Sequence, residues 1–393
     1  NKEEIFELFK KNNLIESKYA TNIDIWNFQY NDNPLEKSWN SVLVNKDDGS
    51  ILGHIGLIPQ VIRAFSSDWG SASISNGAIS SSVRNKLLPF NKSKVFAIIP
   101  LIDNCVKQAF NDKVDISFVY SSIHPMIWRT LKYSEIKVEQ KTTIHSNIRH
   151  IYNAYYSFFV EKYKISSIRH LAVLYSLILI GISLVKNIPS KIFNISNLLK
   201  SRKLIVNEVD KFNSEFNIFF DCFYNDNSEL ITYKRNIDFL NWRFTGDHFQ
   251  KYTFRVKNKI IGYIILEKNK DNLKGLNCKV LDFIVLDEYL HYTSLIFKRL
   301  NRVKKIQITF PHYLSCNYSN KLFKQCFKHG YNFTPNPLRG FKIKNKKPPV
   351  SSCLFYKINS ISSLSTDQKD SFNLNNWFIT PIFFTPTYNN EDL

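Results

Sequence analysis

A short stretch rich in serine and basic residues carries the clearest chemistry in this sequence. It reads SSSVRNK at 80–86, and its hydroxyl, amide and cationic groups suit a bound phosphate. Because it follows a run with strand character, we expect it at a strand end, where anions are often bound. A solvated basic loop is the alternative. The candidate anion ligands are Ser81, Ser82, Arg84, Asn85 and Lys86.

Three further side chains could move protons. His54 lies in the apolar run ILGHIGL, and His124 precedes a proline at a predicted helix start. An imidazole titrates near neutral pH, which suits a base. Asp282 stands among apolar residues of a predicted strand, where a carboxylate is costly unless it has a partner. For each of the three, a hydrogen-bonded core or capping role is the alternative.

Composition limits the classes of protein. The chain has 393 residues, a formal net charge of +20 and 44% hydrophobic residues. This length predicts two domains, and the charge favours acidic partners such as nucleotides, phosphorylated substrates or an anionic membrane. Duplex nucleic acid is disfavoured as a partner because no helix-turn-helix, zinc or RNA-binding signature accompanies the basic residues. The six cysteines are scattered without metal-ligand spacing, so we predict no metal site and a reducing cytoplasm.

One apolar segment, at 171–185, is flanked by basic residues. It is shorter than the about 20 residues that a spanning helix needs, so a helix buried between domains is one interpretation. Another is an interfacial helix on the inner membrane leaflet, with contact through 168–190, and a true span is a third. No signal-peptide pattern opens the sequence. We therefore expect a cytoplasmic protein, peripheral to the inner face of the plasma membrane under the second interpretation.

Three pairs of similar segments recur in the same order along the chain. They pair NIDIWNFQY at 22–30 with NIDFLNWRF at 236–244, SILGHIGL at 50–57 with KIIGYIIL at 259–266, and DISFVY at 115–120 with KIQITF at 305–310. Three matches in one order predict two copies of one domain. We place the copies at 1–147 and 211–393, joined by a helical segment at 148–210.

Each copy shows the same succession of predicted elements. A helix precedes an antiparallel hairpin, followed by strand, helix, strand, helix and strand, which predicts a mixed sheet of the α/β (α+β) class. The first copy has strands at 41–44, 52–59 and 71–81 and a helix at 93–110, which Pro100 should kink or shorten. The second copy has strands at 252–256, 260–267 and 279–286 and a helix at 289–301.

This layout resembles the GNAT acyltransferase superfamily, and more closely the tandem GNAT proteins encoded among bacterial surface-polysaccharide genes. The resemblance is carried by FLNWRF at 239–244, IGY at 261–263, its counterpart LGH at 52–54, and the glycine-aromatic pair at 330–331. It implies two GNAT-like mixed-sheet domains, an acyl-CoA donor (acetyl-CoA first) and the amine of a nucleotide- or lipid-linked amino sugar as acceptor. It also implies direct attack of the amine on the thioester, without a covalent enzyme intermediate.

The resemblance gives the candidate residues their roles. The catalytic groups would be His54, His124 and Asp282, and the donor would contact the anion ligands of 81–86 together with Tyr120. The acceptor would contact Trp242, Arg243, His312 and Tyr313.

Two departures from the GNAT pattern leave other functions open. The glycines of the pyrophosphate loop are absent from both copies, and the usual general-acid tyrosine aligns with Trp128 and Cys326. An aminoacyl-tRNA-dependent transferase of the peptidoglycan-branching type would not need that loop and would suit the charge, although no long charged helical arm is visible. A non-catalytic duplicated GNAT scaffold that binds a partner or the membrane is a third hypothesis. An open split between the central strands would favour catalysis, and a filled split would favour the scaffold.

Overall fold

A computed structural model describes much of both predicted domains. The described residues are 2–11, 30–35, 37–90, 93–121, 125–137, 140–145, 203–247, 249–268, 277–304, 307–313, 316–328, 331–333, 353–360, 365–372 and 376–378. The apolar segment at 171–185 lies outside them. Within these ranges, no helix combines the length and the apolar character that crossing a membrane would need.

The helices are mostly short. They are α1 (Lys2–Lys11), α2 (Ser81–Arg84), α3 (Ile98–Asn111), α4 (Pro125–Thr130), α5 (Glu215–Asp226), α6 (Ile237–Arg243), α7 (Thr293–Lys304), α8 (Asn317–Lys328) and α9 (Thr366–Ser371). A 3-10 helix at Asp287–Tyr292 leads into α7. The apolar residues of α1 lie on one buried face, as their spacing predicts.

The strands of the first half of the chain are β1 (Trp39–Val44), β2 (Ile51–Ala64), β3 (Ser67–Ile79), β4 (Leu87–Phe90), β5 (Ser93–Phe96), β6 (Ile116–Ser121), β7 (Ser134–Lys137) and β8 (Gln140–His145). Those of the second half are β9 (Leu204–Val209), β10 (Thr232–Tyr233), β11 (Phe249–Val256), β12 (Lys259–Lys268), β13 (Asn277–Val285), β14 (Gln307–Tyr313), β15 (Tyr331–Phe333) and β16 (Cys353–Ile358).

Two large sheets share one strand order. The first sheet runs β1-β2-β3-β6-β16-β7, with β10 paired to the far end of β2, and the second runs β15-β8-β14-β13-β12-β11-β9. In each sheet an antiparallel hairpin pairs with a central strand, which pairs in parallel with the next: β3 with β6 and β13 with β14. The mixed α/β class predicted from the sequence is confirmed.

The two sheets exchange one strand each. β8 follows β7 in the chain but pairs between β14 and β15 of the second sheet. β16, from near the end of the chain, pairs between β6 and β7 of the first sheet. The domain boundaries at 147 and 211 stay predictions, and neither sheet is built from one predicted domain alone.

Two predicted elements are wrong in part. The end of the segment predicted to be helical, 148–210, forms β9, which pairs with β11 at the edge of the second sheet. The helix predicted at 93–110 begins at Ile98, and Ser93–Phe96 instead pairs with β4 as a hairpin. Pro100 therefore lies in the first turn of α3, where a helix does not use the missing N–H, and the helix continues to Asn111.

The first sheet is covered by different helices on its two faces. On one face, α3 packs in a cluster with Leu57 and Ala72. On the other, α1 packs in a cluster with Ile58 and Ala78. Leu57 and Ile58 are neighbours in β2, so their side chains point to opposite faces. We call these sides of the first sheet the α3 face and the α1 face.

Candidate functional site

The parallel strands β3 and β6 separate before either one ends. Their pairing runs from Ser71 opposite Ile116 to Ser73 opposite Phe118 and stops there. β3 continues to Ile79, so its last residues form an edge inside the sheet. Solvent reaches this edge, because Gly77 is exposed although β3 is an interior strand. We call the opening the first split.

The second sheet has an equivalent split, which is filled by a side chain. β13 and β14 pair only as far as Lys279. The hydroxyl of Tyr318, from the first turn of α8, accepts the Val285 N–H at 3.0 Å and donates to the Val285 carbonyl at 2.8 Å. Burial raises the pKa of Tyr318, so the hydroxyl keeps the proton that it donates. The backbone groups at the end of β13 are therefore already occupied.

Replacing Tyr318 with Phe is expected to lower the free energy of unfolding by about 1–3 kcal/mol, because both backbone groups of Val285 lose their partner. The measurement is urea denaturation followed by circular dichroism. Tyr289→Phe is the matched control, since Tyr289 is half-buried and contacts Lys259 through its ring. Equal stability of the two variants would show that the tyrosine hydroxyl does not hold this split closed.

The predicted anion ligands lie at the mouth of the first split. Ser81, Ser82, Arg84, Asn85 and Lys86 are all exposed and follow β3 directly. Arg84 Nη2 donates to the carbonyl of Ile79, the last residue of β3, at 3.3 Å. Ile79 lies opposite Gly53 in its hairpin, as Val285 lies opposite Gly262. At equivalent strand ends, the first sheet therefore presents a cation and the second a tyrosine.

A row of buried polar side chains crosses the α1 face of the first sheet. Ser71, Ser73 and Ser75 alternate along β3, and Gln60 lies opposite Ser71 in β2. Their exposed fractions are 2%, 3%, 4% and 2%. Within the described part of the chain, the Gln60 amide and the hydroxyls of Ser71 and Ser75 have no hydrogen-bond partner. Burying such groups unpaired costs about 1–3 kcal/mol each, so a bound water or a polar ligand would stabilise this row.

His54 lies on the same face, beyond Ser75. It is fully buried, and its Nε2 lies 3.1 Å from Asn40 Oδ1. The rings of Phe9 and Tyr30 contact it edge-on. The predicted role of His54 as a base stays a prediction.

The helix α6 places Trp242 and Arg243 close to the polar row. Trp242 packs against both the α1 cluster and the large cluster around the second sheet. Burial lowers the pKa of Arg243 to about 10, and the neighbouring Tyr233 opposes that shift. Tyr233 in turn hydrogen-bonds Ser73 of the polar row. The side chain of Tyr233 thus links Arg243 to the polar row. The contact of Arg243 with an acceptor stays a prediction.

Asp282 lies in the second sheet, in a fully buried ion pair. Arg235 donates to it through Nε at 2.8 Å and through Nη2 at 3.1 Å. The hydroxyl of Tyr263 donates to the same carboxylate at 2.5 Å. A carboxylate held in this way serves to anchor the core, and the geometry does not favour its predicted catalytic role.

For the remaining predicted site residues, the structure describes the backbone alone or does not describe the residue. His124 lies outside the described residues. Tyr120 lies on β6 beside the first split and pairs with Leu354, and His312 and Tyr313 end β14 in the second sheet. Their side chains are outside what the structure describes. Sequence reasoning missed Gln60, the alternating serines and Tyr318; the period-two pattern SASIS was the available signal for the serines.

Comparisons with known proteins agree on the fold. No protein-family model matches the chain, and no curated protein matches it in sequence. A GCN5-related N-acetyltransferase from Anabaena variabilis superimposes with a TM-score of 0.55 at 13% identity, covering 92% of this chain and 71% of that one. A conserved Enterococcus faecalis protein, described as a probable N-acyltransferase, gives 0.53 at 9% identity, covering 90% and 69%. At these identities the likeness shows a shared GCN5-related N-acetyltransferase fold.

Proposed function

We propose that this chain is an acyl-CoA-dependent N-acyltransferase whose donor binds in the first split. The observation that carries the proposal is the contrast between the two splits: solvent reaches Gly77 in the first, whereas Tyr318 fills the second. The fold shared with a GCN5-related N-acetyltransferase supports acyl transfer as the reaction class. The acceptor we propose is the amine of a nucleotide- or lipid-linked amino sugar in surface-polysaccharide assembly, which rests on the sequence resemblance.

The first split offers two kinds of group to an acyl-CoA. The edge of β3 beyond Ser73 offers backbone N–H and C=O groups to the amide-containing arm of the donor. Arg84 and Lys86, exposed at the mouth, offer cations to its phosphates. Acetyl-CoA is the first donor to test. The missing loop glycines make these side chains more important, because fewer backbone N–H groups can approach the pyrophosphate.

The polar row suits an acceptor rich in hydroxyl groups. Gln60, Ser71 and Ser75 can donate and accept hydrogen bonds without carrying charge, which matches a sugar ring. On the α3 face of the same sheet, the buried hydroxyls of Ser41 and Ser117 already have hydrogen-bond partners, in Asn104 and Tyr133. Arg243, one side chain away, could meet the phosphate of a nucleotide- or lipid-linked sugar. We therefore place the acceptor on the α1 face.

The proposed reaction needs no covalent intermediate. The acceptor amine, once deprotonated, attacks the thioester carbonyl carbon; the N–C bond forms, and the C–S bond breaks as CoA leaves as a thiolate. The ammonium proton passes to a base, for which the candidate from the sequence is His54 on the α1 face, whose Nε2 lies 3.1 Å from Asn40 Oδ1. The nitrogen loses a second proton as the amide forms, and that proton passes to the thiolate, directly or through solvent, to give the CoA thiol.

Arg84→Glu is expected to weaken acetyl-CoA binding by at least tenfold, about 1.4 kcal/mol, because a carboxylate would replace a cation facing phosphates. Isothermal titration calorimetry measures this directly. Lys257→Glu is the matched control: it makes the same change of charge at an exposed position in the β11–β12 turn of the second sheet.

Two results would count against the proposal. Equal affinities of the two charge variants would remove Arg84 from the donor site. No binding of acetyl-CoA by the wild-type protein would reject the acyl-CoA donor and favour the scaffold or the aminoacyl-tRNA donor. If acetyl-CoA binds and Arg84→Glu abolishes binding, a screen of amino-sugar acceptors follows.

A further inference from the structure

A small hairpin at the mouth of the first split exposes apolar side chains. β4 and β5 form a two-stranded sheet apart from the two large ones. Alternate residues point to opposite sides: Leu88, Phe90 and Val95 pack against the α3 cluster. Leu87 and Phe96, which pair across the strands, are 51% and 37% exposed. The hairpin thus carries a cross-strand apolar pair on its outer side.

The charged residues of the segment that carries this pair have one sign. The segment 81–96, SSVRNKLLPFNKSKVF, contains four basic residues and no acidic one. Arg84, Lys86 and Lys94 are exposed. Ile218, which is 69% exposed on α5, has the opposite setting, since that helix carries Glu215, Asp221 and Asp226 and no basic residue. Exposed apolar surface is therefore combined with positive charge at the hairpin and with negative charge at α5.

We propose that the β4–β5 hairpin docks on an anionic lipid bilayer, with Leu87 and Phe96 entering the headgroup region and Lys94 meeting a lipid phosphate. Apolar side chains ringed by Lys and Arg are the combination that binds anionic membrane surfaces. A phosphate-containing small ligand alone would account for the cations but leaves the exposed Leu87–Phe96 pair unexplained. Charge complementarity therefore favours a bilayer as the occupant.

Docking by the hairpin would place the mouth of the first split at the membrane. The hairpin is continuous with α2, which follows β3, and leads into α3. A lipid-linked acceptor would then reach the split from the bilayer plane. The docking itself does not depend on the proposed activity, and it uses residues different from those of 168–190.

Sedimentation with lipid vesicles tests the docking on the full chain. The probes are vesicles of phosphatidylcholine alone and of equal parts phosphatidylcholine and phosphatidylglycerol. We expect binding to the anionic vesicles that weakens with salt. The double variant Leu87→Ser/Phe96→Ser should reduce the partition coefficient at least tenfold, because it removes the apolar contact. Lys94→Glu should reduce it about fivefold or more by charge reversal.

The matched control is Ile218→Ser, which removes a more exposed apolar side chain from an acidic helix and should bind vesicles as the wild type does. Unfolding temperature and acetyl-CoA affinity report whether each variant stays folded with its donor site intact. Phe96→Trp keeps the apolar character and should shift its emission to shorter wavelength only with anionic vesicles. The docking is rejected if the wild type fails to sediment, if neutral vesicles bind it equally, if the double variant matches Ile218→Ser, or if Phe96→Trp shows no shift.

Discussion

Asp282→Ala is expected to destabilise the protein by about 3–5 kcal/mol, because it leaves the guanidinium of Arg235 buried without its counter-charge. Both side chains have an exposed fraction of 0%. Burial alone would lower the pKa of Arg235, but the charge of Asp282 and its hydrogen bonds reverse this and raise the pKa. Arg235 is therefore charged across the neutral range in the wild-type protein, and the substitution leaves that charge buried. Thermal and urea unfolding measure it.

The ion pair also joins the two sheets. Arg235 follows β10, which pairs with β2 of the first sheet, while Asp282 lies on β13 of the second. Arg235 Nη1 also donates to the Thr232 hydroxyl at 2.7 Å and to the Tyr233 carbonyl at 3.0 Å. Burial, and then the nearby Asp282, raise the pKa of Tyr263, so that hydroxyl remains a donor to the carboxylate.

The double variant Arg235→Met/Asp282→Leu is the control, since removing both charges should restore much of the stability that either single change loses. A loss below about 1 kcal/mol for Asp282→Ala, typical of an exposed pair, would contradict the structural role. Asp282→Asn separates structure from catalysis. If that variant keeps its stability but loses turnover, Asp282 would be a catalytic group as the sequence suggested.

Met126→Tyr is expected to lower the affinity for acetyl-CoA by at least tenfold, equivalent to about 1.4 kcal/mol. Met126 is the second residue of α4, as Tyr318 is the second residue of α8, and each helix follows the strand on the far side of its split. Met126 is 54% exposed. A tyrosine there could accept the Ile79 N–H and replace Arg84 as donor to the Ile79 carbonyl, in the way that Tyr318 binds Val285, and would compete with acetyl-CoA for the β3 edge. Calorimetry with acetyl-CoA is the measurement.

Met126→Leu, which keeps an apolar side chain of similar volume without a hydroxyl, should bind acetyl-CoA as the wild type does. Melting temperatures should show both variants folded, with Met126→Tyr at or above the wild type because it adds hydrogen bonds. A folded Met126→Tyr protein that binds acetyl-CoA with wild-type affinity would mean that the donor does not use the β3 edge.

The hairpins could be predicted from the sequence because their signals are local. Alternating apolar residues on both sides of a turn define β11 and β12, and Gly53 and Gly262 lie in the second strand of each predicted hairpin, β2 and β12. The structure supplies the reason for Gly262: a Cβ there would collide with the carbonyl oxygen of Ile284. Patterns of this kind identify an element and its face without any tertiary information.

The strand exchange could not be predicted, because nothing local in β8 or β16 specifies a sheet. Each is a six-residue strand that pairs on both edges, and the two strands fill equivalent places in different sheets. The hairpin strand β5 was hidden for another reason. Val95 continues the helical spacing of Ile98, Ile99 and Ile102. The apolar pattern therefore predicted a helix that includes β5, although the helix begins only at Ile98.

The candidate site was predicted in part for similar reasons. The sequence identifies Asp282 as a costly carboxylate but not its partner, because Arg235 is 47 residues away. The basic stretch after β3 was located correctly because it is contiguous in the chain. The polar row requires the register of Gln60 opposite Ser71, which arises only when β2 and β3 pair.

The exchanged strands also determine when each sheet can be completed during synthesis. A ribosome releases β6 and β7 more than two hundred residues before their common neighbour β16, which ends at Ile358 of a 393-residue chain. Until then the nascent first sheet has two facing edges with unpaired backbone groups, which are prone to pair with other chains. β8 must likewise wait for β14. Premature termination anywhere before β16 would therefore yield a product in which β6 and β7 lack the strand between them. This holds even if every other strand of the first sheet has been synthesised.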